Sequence, residues 1–230
     1  MKAMILAAGR GDRMRPLTDH VPKPLLRAGG RTLIEHLIVN LVRSGFNDLV
    51  INHAHLGAQI VQTLGDGSRF GAHIAYSDEG ETGLETGGGI RHALHRLDSD
   101  PFLVVNGDIY TEFPFETLPR SPAGLAHLVL VPNPQHNPAG DFALDGALIR
   151  NPATAPASAV RRTFSGIGIY RRALLGGHAP GKFPLAPILR AAADRNEISG
   201  ENYDGVWWDI GTPERLAALD RYLGTDSGKD

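Results

Sequence analysis

The stretch Lys2-Ala3-Met4-Ile5-Leu6-Ala7-Ala8-Gly9-Arg10-Gly11-Asp12-Arg13-Met14-Arg15-Pro16-Leu17-Thr18, followed by Pro22-Lys23-Pro24-Leu25, decides the fold. Its first seven residues are a short apolar run that stops at glycines, the pattern of a fully buried strand feeding a glycine loop. Downstream, Leu33, Leu37 and Leu41 interleave with Ile34, Ile38 and Val42, a helical spacing that ends at Ser44-Gly45. Residues 48–52 read as a second buried strand, 56–64 as a helix stopped by Gly65, and 73–77 as a third strand. Residues 86–97 predict a helix opening on three glycines, and 102–106 a strand with Gly107-Asp108 at its exit. Strands alternating with helices imply right-handed crossovers and a mixed, mainly parallel sheet with helices on both faces. In such a sheet the functional loops gather at the C-terminal ends of the strands.

The second half is less regular. Residues 125–131 and 163–170 read as strands, 185–195 as a helix, 206–210 as a late strand and 213–223 as a final helix. Residues 142–149 predict a hairpin whose Asp145-Gly146 suits a type I′ turn, and 152–159 a loop rich in Pro and Ala. Residues 1–224 are expected to form a single domain, with 225–230 a disordered tail lacking any apolar face. At 230 residues and 42% hydrophobic content the chain buries a substantial core. A net charge of -2 offers no general attraction to nucleic acid or anionic membrane. The absence of cysteine excludes disulfides, thiolate metal sites and a thiol nucleophile. The N-terminal apolar run is too short for a signal peptide, so a cytoplasmic location is expected.

Small residues at Ala7, Ala8, Gly9 and Gly11 let backbone approach a ligand, and successive loop amides can cradle an anion. Tight strand-to-helix turns use glycine for geometry alone, so the loop by itself is ambiguous. Arg13 as a two-pronged donor, and Lys23 as a point charge stiffened between two prolines, tilt it toward phosphate. Asp108 and Asp209 each follow an apolar run and are expected at the same sheet edge. Two hard carboxylates converging on triphosphate oxygens make a magnesium site. Thr212-Pro213 already matches a helix cap and first turn, which leaves Asp209 available. Gly83-Leu84-Glu85-Thr86-Gly87-Gly88-Gly89 is either a ligand loop or a glycine-rich helix start.

These motifs resemble the sugar-1-phosphate nucleotidyltransferases. That family shows an apolar strand, Leu-Ala-Ala-Gly, a Gly-x-Arg with Pro-Leu-Thr behind it, and Pro-Lys-Pro-Leu. The similarity continues through Ile34-Glu35, Asn106-Gly107-Asp108 and Trp207-Trp208-Asp209-Ile210-Gly211-Thr212-Pro213. It implies a Rossmann-like, GT-A type α/β fold with a small β-hairpin subregion for the sugar. It also implies nucleotide contacts at Ala8, Gly9, Gly11, Arg13, Lys23, Glu79 and Gly83, with Arg13 and Lys23 catalytic. Asp108 and Asp209 would hold Mg2+, and Asn106, Gly140, Asp141 and Gly166 would meet the sugar. Three departures stand out: Asp12 where Thr is commoner, acidic Asp78 and Glu79 where an amide is usual, and no Glu-Lys-Pro in 151–162. Among short members, the chain is most similar to uridylyltransferases of peptidoglycan recycling, which implies UTP and N-acetylmuramic acid 1-phosphate as partners. Arg161 or Arg162 is then the expected partner of the sugar's lactyl carboxylate. The short C-terminus lacks elements that many relatives use to assemble, so a monomer is expected.

Competing readings fare less well on the residues. A dinucleotide-binding oxidoreductase needs a third glycine where Met14 stands, and an acid ending the second strand, where Asn52-His53 stand. A non-catalytic nucleotide-sugar sensor would not need both aspartates. A mannose-1-phosphate guanylyltransferase is the main alternative within the family. His53 with His55, and His92 with His95, lack a third ligand nearby for zinc. The tandem Trp207-Trp208 is expected to place one ring in the core and one on the cleft wall.

Overall fold

The structure, a computed structural model, describes residues 1–226. The opening run folds as β1 (Ala3–Leu6), with Ala3, Met4 and Ile5 fully buried. After the glycine loop comes a short ribbon of β2 (Arg27–Ala28) and β3 (Arg31–Thr32). The helix α1 (Leu33–Arg43) starts on a capping box: the Thr32 hydroxyl accepts from Glu35 N–H, and the Glu35 carboxylate accepts from Thr32 N–H at 2.9 Å. There follow β4 (Asp48–His53), α2 (Gly57–Leu64), β5 (His73–Asp78), α3 (Glu85–Ala93) and β6 (Phe102–Asn106). These four long strands run parallel in the order β5-β4-β1-β6.

Side-chain alternation splits the core in two. Ala3, Ile5, Leu49, Ile51, Leu103 and Val105 pack with Ile34, Ile38 and Leu41 of α1 and Ile60 of α2. Met4, Val50, Phe102 and Val104 pack on the opposite face with Ile90 of α3 and with Leu189 and Ala192 of α4 (Ala186–Asp194). Helices therefore cover both faces, which is why each β1 residue is apolar without a polar alternate. Each fully buried Ile or Leu contributes about 1.5–3 kcal/mol through removal from water.

The second half extends this sheet with mostly antiparallel pairings. After β7 (Ile109–Thr111) come β8 (Ala126–Val131), β9 (Phe142–Asp145), β10 (Leu148–Arg150) and the long β11 (Val160–Tyr170). The chain ends with β12 (Ile198–Asn202), β13 (Trp207–Asp209) and α5 (Pro213–Asp226). Strand β11 pairs antiparallel with β8 on both sides of a bulge between Phe164 and Ile167 and with β6 beyond it, and its first residues pair with β9. The strands β11, β8, β12, β10 and β9 thus close on one another, leaving little free edge there.

Several expectations are corrected. The two loop residues of the hairpin are Gly146-Ala147, and Gly146 alone takes positive φ, the pattern of a type II′ turn. The late strand β13 pairs with β7 in a separate ribbon, so Asp209 does not reach the site from the main sheet. Helix α5 runs to Asp226, two residues into the stretch expected to be disordered, and residues 227–230 lie outside the described residues. Among the described residues no helix is long and apolar enough to cross a membrane.

Candidate active site

The chain leaves β1 toward β4 and β5 on one side, then returns to β6 on the other. A reversal of this kind opens a crevice beyond the strand ends. Gly107 tightens it, its N–H donating to the Leu6 carbonyl at 2.8 Å. Two cavities of about 400 and 410 Å³ lie in this crevice, and Asn106 and Asp108 line both.

The first cavity is walled by residues 6–10, Asp12, Lys23, Asn52, Glu79, residues 82–86 and Lys182. Gly11 turns the loop, at φ 69°, and its carbonyl accepts from the Thr18 hydroxyl. Lys23, 8% exposed, lies in a short turn flanked by Pro22 and Pro24, and its Nζ donates to Asp108 Oδ2 at 2.5 Å. That bond ties the glycine loop to the exit of β6. A second buried relay spans the cavity floor. Ala7 N–H donates to Asn52 Oδ1 at 2.8 Å, Asn52 Nδ2 to Glu79 Oε1 at 2.6 Å, and Leu84 N–H to Glu79 Oε2 at 2.7 Å. Glu79 is thus held between two donors inside the wall.

The three glycines of α3 each admit a neighbour. A Cβ on Gly89 would lie 2.3 Å from Glu79 Oε1, on Gly88 2.2 Å from the Gly181 carbonyl, and on Gly87 2.6 Å from the Phe183 ring. Through them the relay and the segment around Phe183 close onto the helix start. Close packing therefore accounts for the triplet, while Gly83 upstream remains on the cavity wall.

The second cavity is lined by Arg13, His136, Asn137, Asp141, residues 163–165, Trp207 and Asp209 along with the shared pair. The β7–β13 ribbon sets Asp209 opposite Ile109, and Ile210 N–H donates to the Asp108 carbonyl, so the two aspartates are neighbours. Asp209 Oδ2 lies 2.8 Å from Arg215 Nη1 and 3.0 Å from His136 Nε2. Among the described residues no three acidic or imidazole groups converge as a metal cage. Two hard carboxylates facing one cleft, each balanced by a basic partner, are a donor set that suits magnesium completed by phosphate and water oxygens.

The structure gathers Ala8, Gly9, Lys23, Glu79 and Gly83 around the first cavity and Asn106, Asp108, Asp141 and Asp209 around the second. Arg13 lines the second cavity, not the first; the loop cation on the first is Arg10. Asp141 Oδ2 accepts from Phe164 N–H at 2.9 Å. Gly140 and Gly166 act from behind the wall: a Cβ would sit 2.6 Å from the Arg162 carbonyl in one case and from Asn106 Nδ2 in the other. The expectation for Arg161 and Arg162 is overturned. Their guanidinia bond to the Pro152 carbonyl and Asn202 Oδ1, and neither residue lines the cavity. Trp207 lines the cavity, its Nε1 donating to the Ser165 carbonyl, while Trp208 packs beside Tyr222. Sequence reasoning missed Asn52, His136 and Lys182, whose partners are remote in the chain, and Arg215, which pairs with Asp209 across the turn into α5. The one available signal was Asn52, a polar residue ending an apolar strand.

Comparison with known proteins gives a concordant picture. A family model described as nucleotidyl transferase matches residues 2–142. An N-acetylmuramate alpha-1-phosphate uridylyltransferase of Neisseria meningitidis is 50% identical, over 97% of this chain and 99% of its own. A Caulobacter vibrioides protein of the same name is 30% identical, over 96% of each. The solved inositol-1-phosphate CTP transferase of T. maritima superposes with a TM-score of 0.76 at 16% identity, over 96% of this chain and 95% of that one, a likeness of fold. With the glycine loop, the crevice at the strand reversal and a family match over most of its length, the chain belongs to the nucleotidyl transferase family.

Proposed function

We propose that the protein transfers uridylyl from UTP to N-acetylmuramic acid 1-phosphate, giving the UDP-sugar and pyrophosphate. The observation that carries this reading is the pair of cavities meeting at Asn106 and Asp108, beside Lys23. A triphosphate in the first and a sugar phosphate in the second would bring their phosphates together at that junction. Near-full-length similarity to two proteins named for this activity supports the choice of base and sugar.

In the reaction a sugar-phosphate oxygen attacks the α-phosphorus, its P–O bond forms, and the bond to the β-phosphate breaks in line. The nucleophile is already anionic, so no general base is required, and catalysis rests on positioning and charge. Lys23 offsets repulsion between the two phosphates. Loop amides from Ala8 to Gly11, with Arg10, hold the leaving pyrophosphate, and Arg13 faces the reacting phosphates from the sugar side. Asp108 and Asp209 would supply carboxylate oxygens for a magnesium ion, whose charge would offset that of the phosphates.

The test is pyrophosphate release by the purified protein given UTP, N-acetylmuramic acid 1-phosphate and magnesium. GTP with mannose 1-phosphate serves as the rival pair. Release with the first pair well above the second is expected. Release only with the second would replace the substrate assignment, and no release with any pair would sink the enzymatic reading.

A further inference from the structure

The segment carrying Lys182 is docked on α3 by main-chain bonds. Phe183 N–H donates to the Leu84 carbonyl at 3.2 Å, and Gly88 N–H donates to the Phe183 carbonyl at 3.0 Å. Gly87 and Gly88 leave the space this segment fills. The packing delivers Lys182 to the wall of the first cavity, alongside residues 82–86. Lys23 and Asp108 mark where that cavity joins the second, so on the nucleotidyl-transfer reading the triphosphate would lie toward them and the nucleoside toward Lys182. Glu85, on the same wall, lies 4.0 Å from Lys182 Nζ. Glu85 takes φ 59°, a left-handed conformation that a non-glycine residue rarely adopts and that is found at ligand clamps.

We propose that Lys182 and Glu85 together read the nucleobase: Lys182 donates to a ring carbonyl, and Glu85 accepts from the adjacent ring N–H. A donor and an acceptor side by side match the imide edge of uracil. They mismatch cytosine, which offers an amino donor and an unprotonated ring nitrogen in those places. Against the reversed edge the Lys182 ammonium would face a donor and the Glu85 carboxylate an acceptor, a like-against-like mismatch. Guanine presents the same carbonyl and N–H order as uracil, and adenine the reversed order. The pair therefore selects the class of base, a deepening that rests on the nucleotidyl-transfer reading above.

The experiment measures kcat/KM for UTP and CTP with one sugar phosphate, in wild type, Lys182→Met and Glu85→Gln. Lys182→Met keeps the stem and removes the charge, and both side chains are largely exposed, so the fold is expected to survive. An unchanged thermal midpoint confirms it. The expected result is a fall in the UTP-over-CTP preference of about ten-fold or more for Lys182→Met. Glu85→Gln should also relax the preference, since an amide can turn to offer either partner. An equal loss for both nucleotides would overturn the proposal, because Lys182 would then serve the triphosphate or the fold. An unchanged preference would overturn it too. The wild-type panel judges the uridylyl reading separately: a preference for GTP would remove that reading, and the variants would then be compared with GTP against ATP.

Discussion

Asn52→Asp changes one atom at the centre of the buried relay. The introduced carboxylate would still accept from Ala7 N–H, but the Nδ2 that donates to Glu79 at 2.6 Å becomes a second carboxylate oxygen. Two full charges repel by about 4 kcal/mol even at 4 Å for an effective dielectric near 20, and Asn52 is 2% exposed, so water screens little. The pair is expected to share one proton in the folded state, as paired carboxylates do. Its upper titration is then raised above the ordinary carboxylate value of about 4. A folded-state value above the unfolded one means that the folded protein holds the extra proton through that window. Stability is lost as pH rises through it and regained as pH falls. The substitution should lower the unfolding free energy by about 3 kcal/mol at pH 8 and by about 1 kcal/mol at pH 5. Urea denaturation of both proteins at the two pH values measures the difference. A penalty under about 0.5 kcal/mol at pH 8, or one that does not shrink at pH 5, would refute the relay as described.

Gly88→Ala should cost about 2 kcal/mol by overpacking against the Gly181 carbonyl. Displacement of the docked segment should also raise KM for the nucleotide, read by steady-state kinetics. Asp108→Asn removes a carboxylate that lines both cavities and is the partner of Lys23. Its kcat should fall by about 100-fold or more with a smaller change in KM, read by pyrophosphate release. Burial, then the nearby Asp66 carboxylate, pushes the Tyr76 phenol up to about 12. The folded state therefore keeps that proton above the ordinary phenol value near 10, and stability should fall as pH rises from about 10 to 12. Tyr76→Phe should flatten that fall, measured by thermal unfolding across the range.

The first half of the fold was legible because its strands are buried on both faces. In β1 and β6 every interior position must be apolar, and the helices between them carry their own stops at Ser44-Gly45 and Gly65. Strand β12 escaped notice because Ser199, Gly200, Glu201 and Asn202 carry no apolar pattern; pairing with β8 and β10 makes them a strand. The hairpin was located, but its turn was displaced by one residue because Asp145 retains its pairing with Leu148. In the site, the loop residues Ala8 and Gly9, Lys23 and the two aspartates could be picked out locally by residue type and place after a strand, and the structure gathers them around the two cavities. Asn52 left only a polar residue ending an apolar strand as a sign, and His136, Arg215 and Lys182 left none. His136 and Lys182 act through partners dozens of residues away, and Arg215 meets Asp209 only because the turn into α5 folds back on it. The assignment of Arg161 and Arg162 failed for the same reason: nearness in sequence to a cleft did not say which way β11 turned its guanidinia.

The central claim is that the two cavities meeting at Asn106 and Asp108 bring a uridine triphosphate and a lactyl-bearing sugar phosphate together. Equal amounts of the four ribonucleoside triphosphates can be offered with a panel of sugar 1-phosphates and magnesium, and the nucleotide sugars resolved by mass. UDP-N-acetylmuramic acid should be the dominant product, and its formation should be lost in Asp108→Asn. A different dominant nucleotide sugar, or none at all from the wild-type protein, would contradict the account.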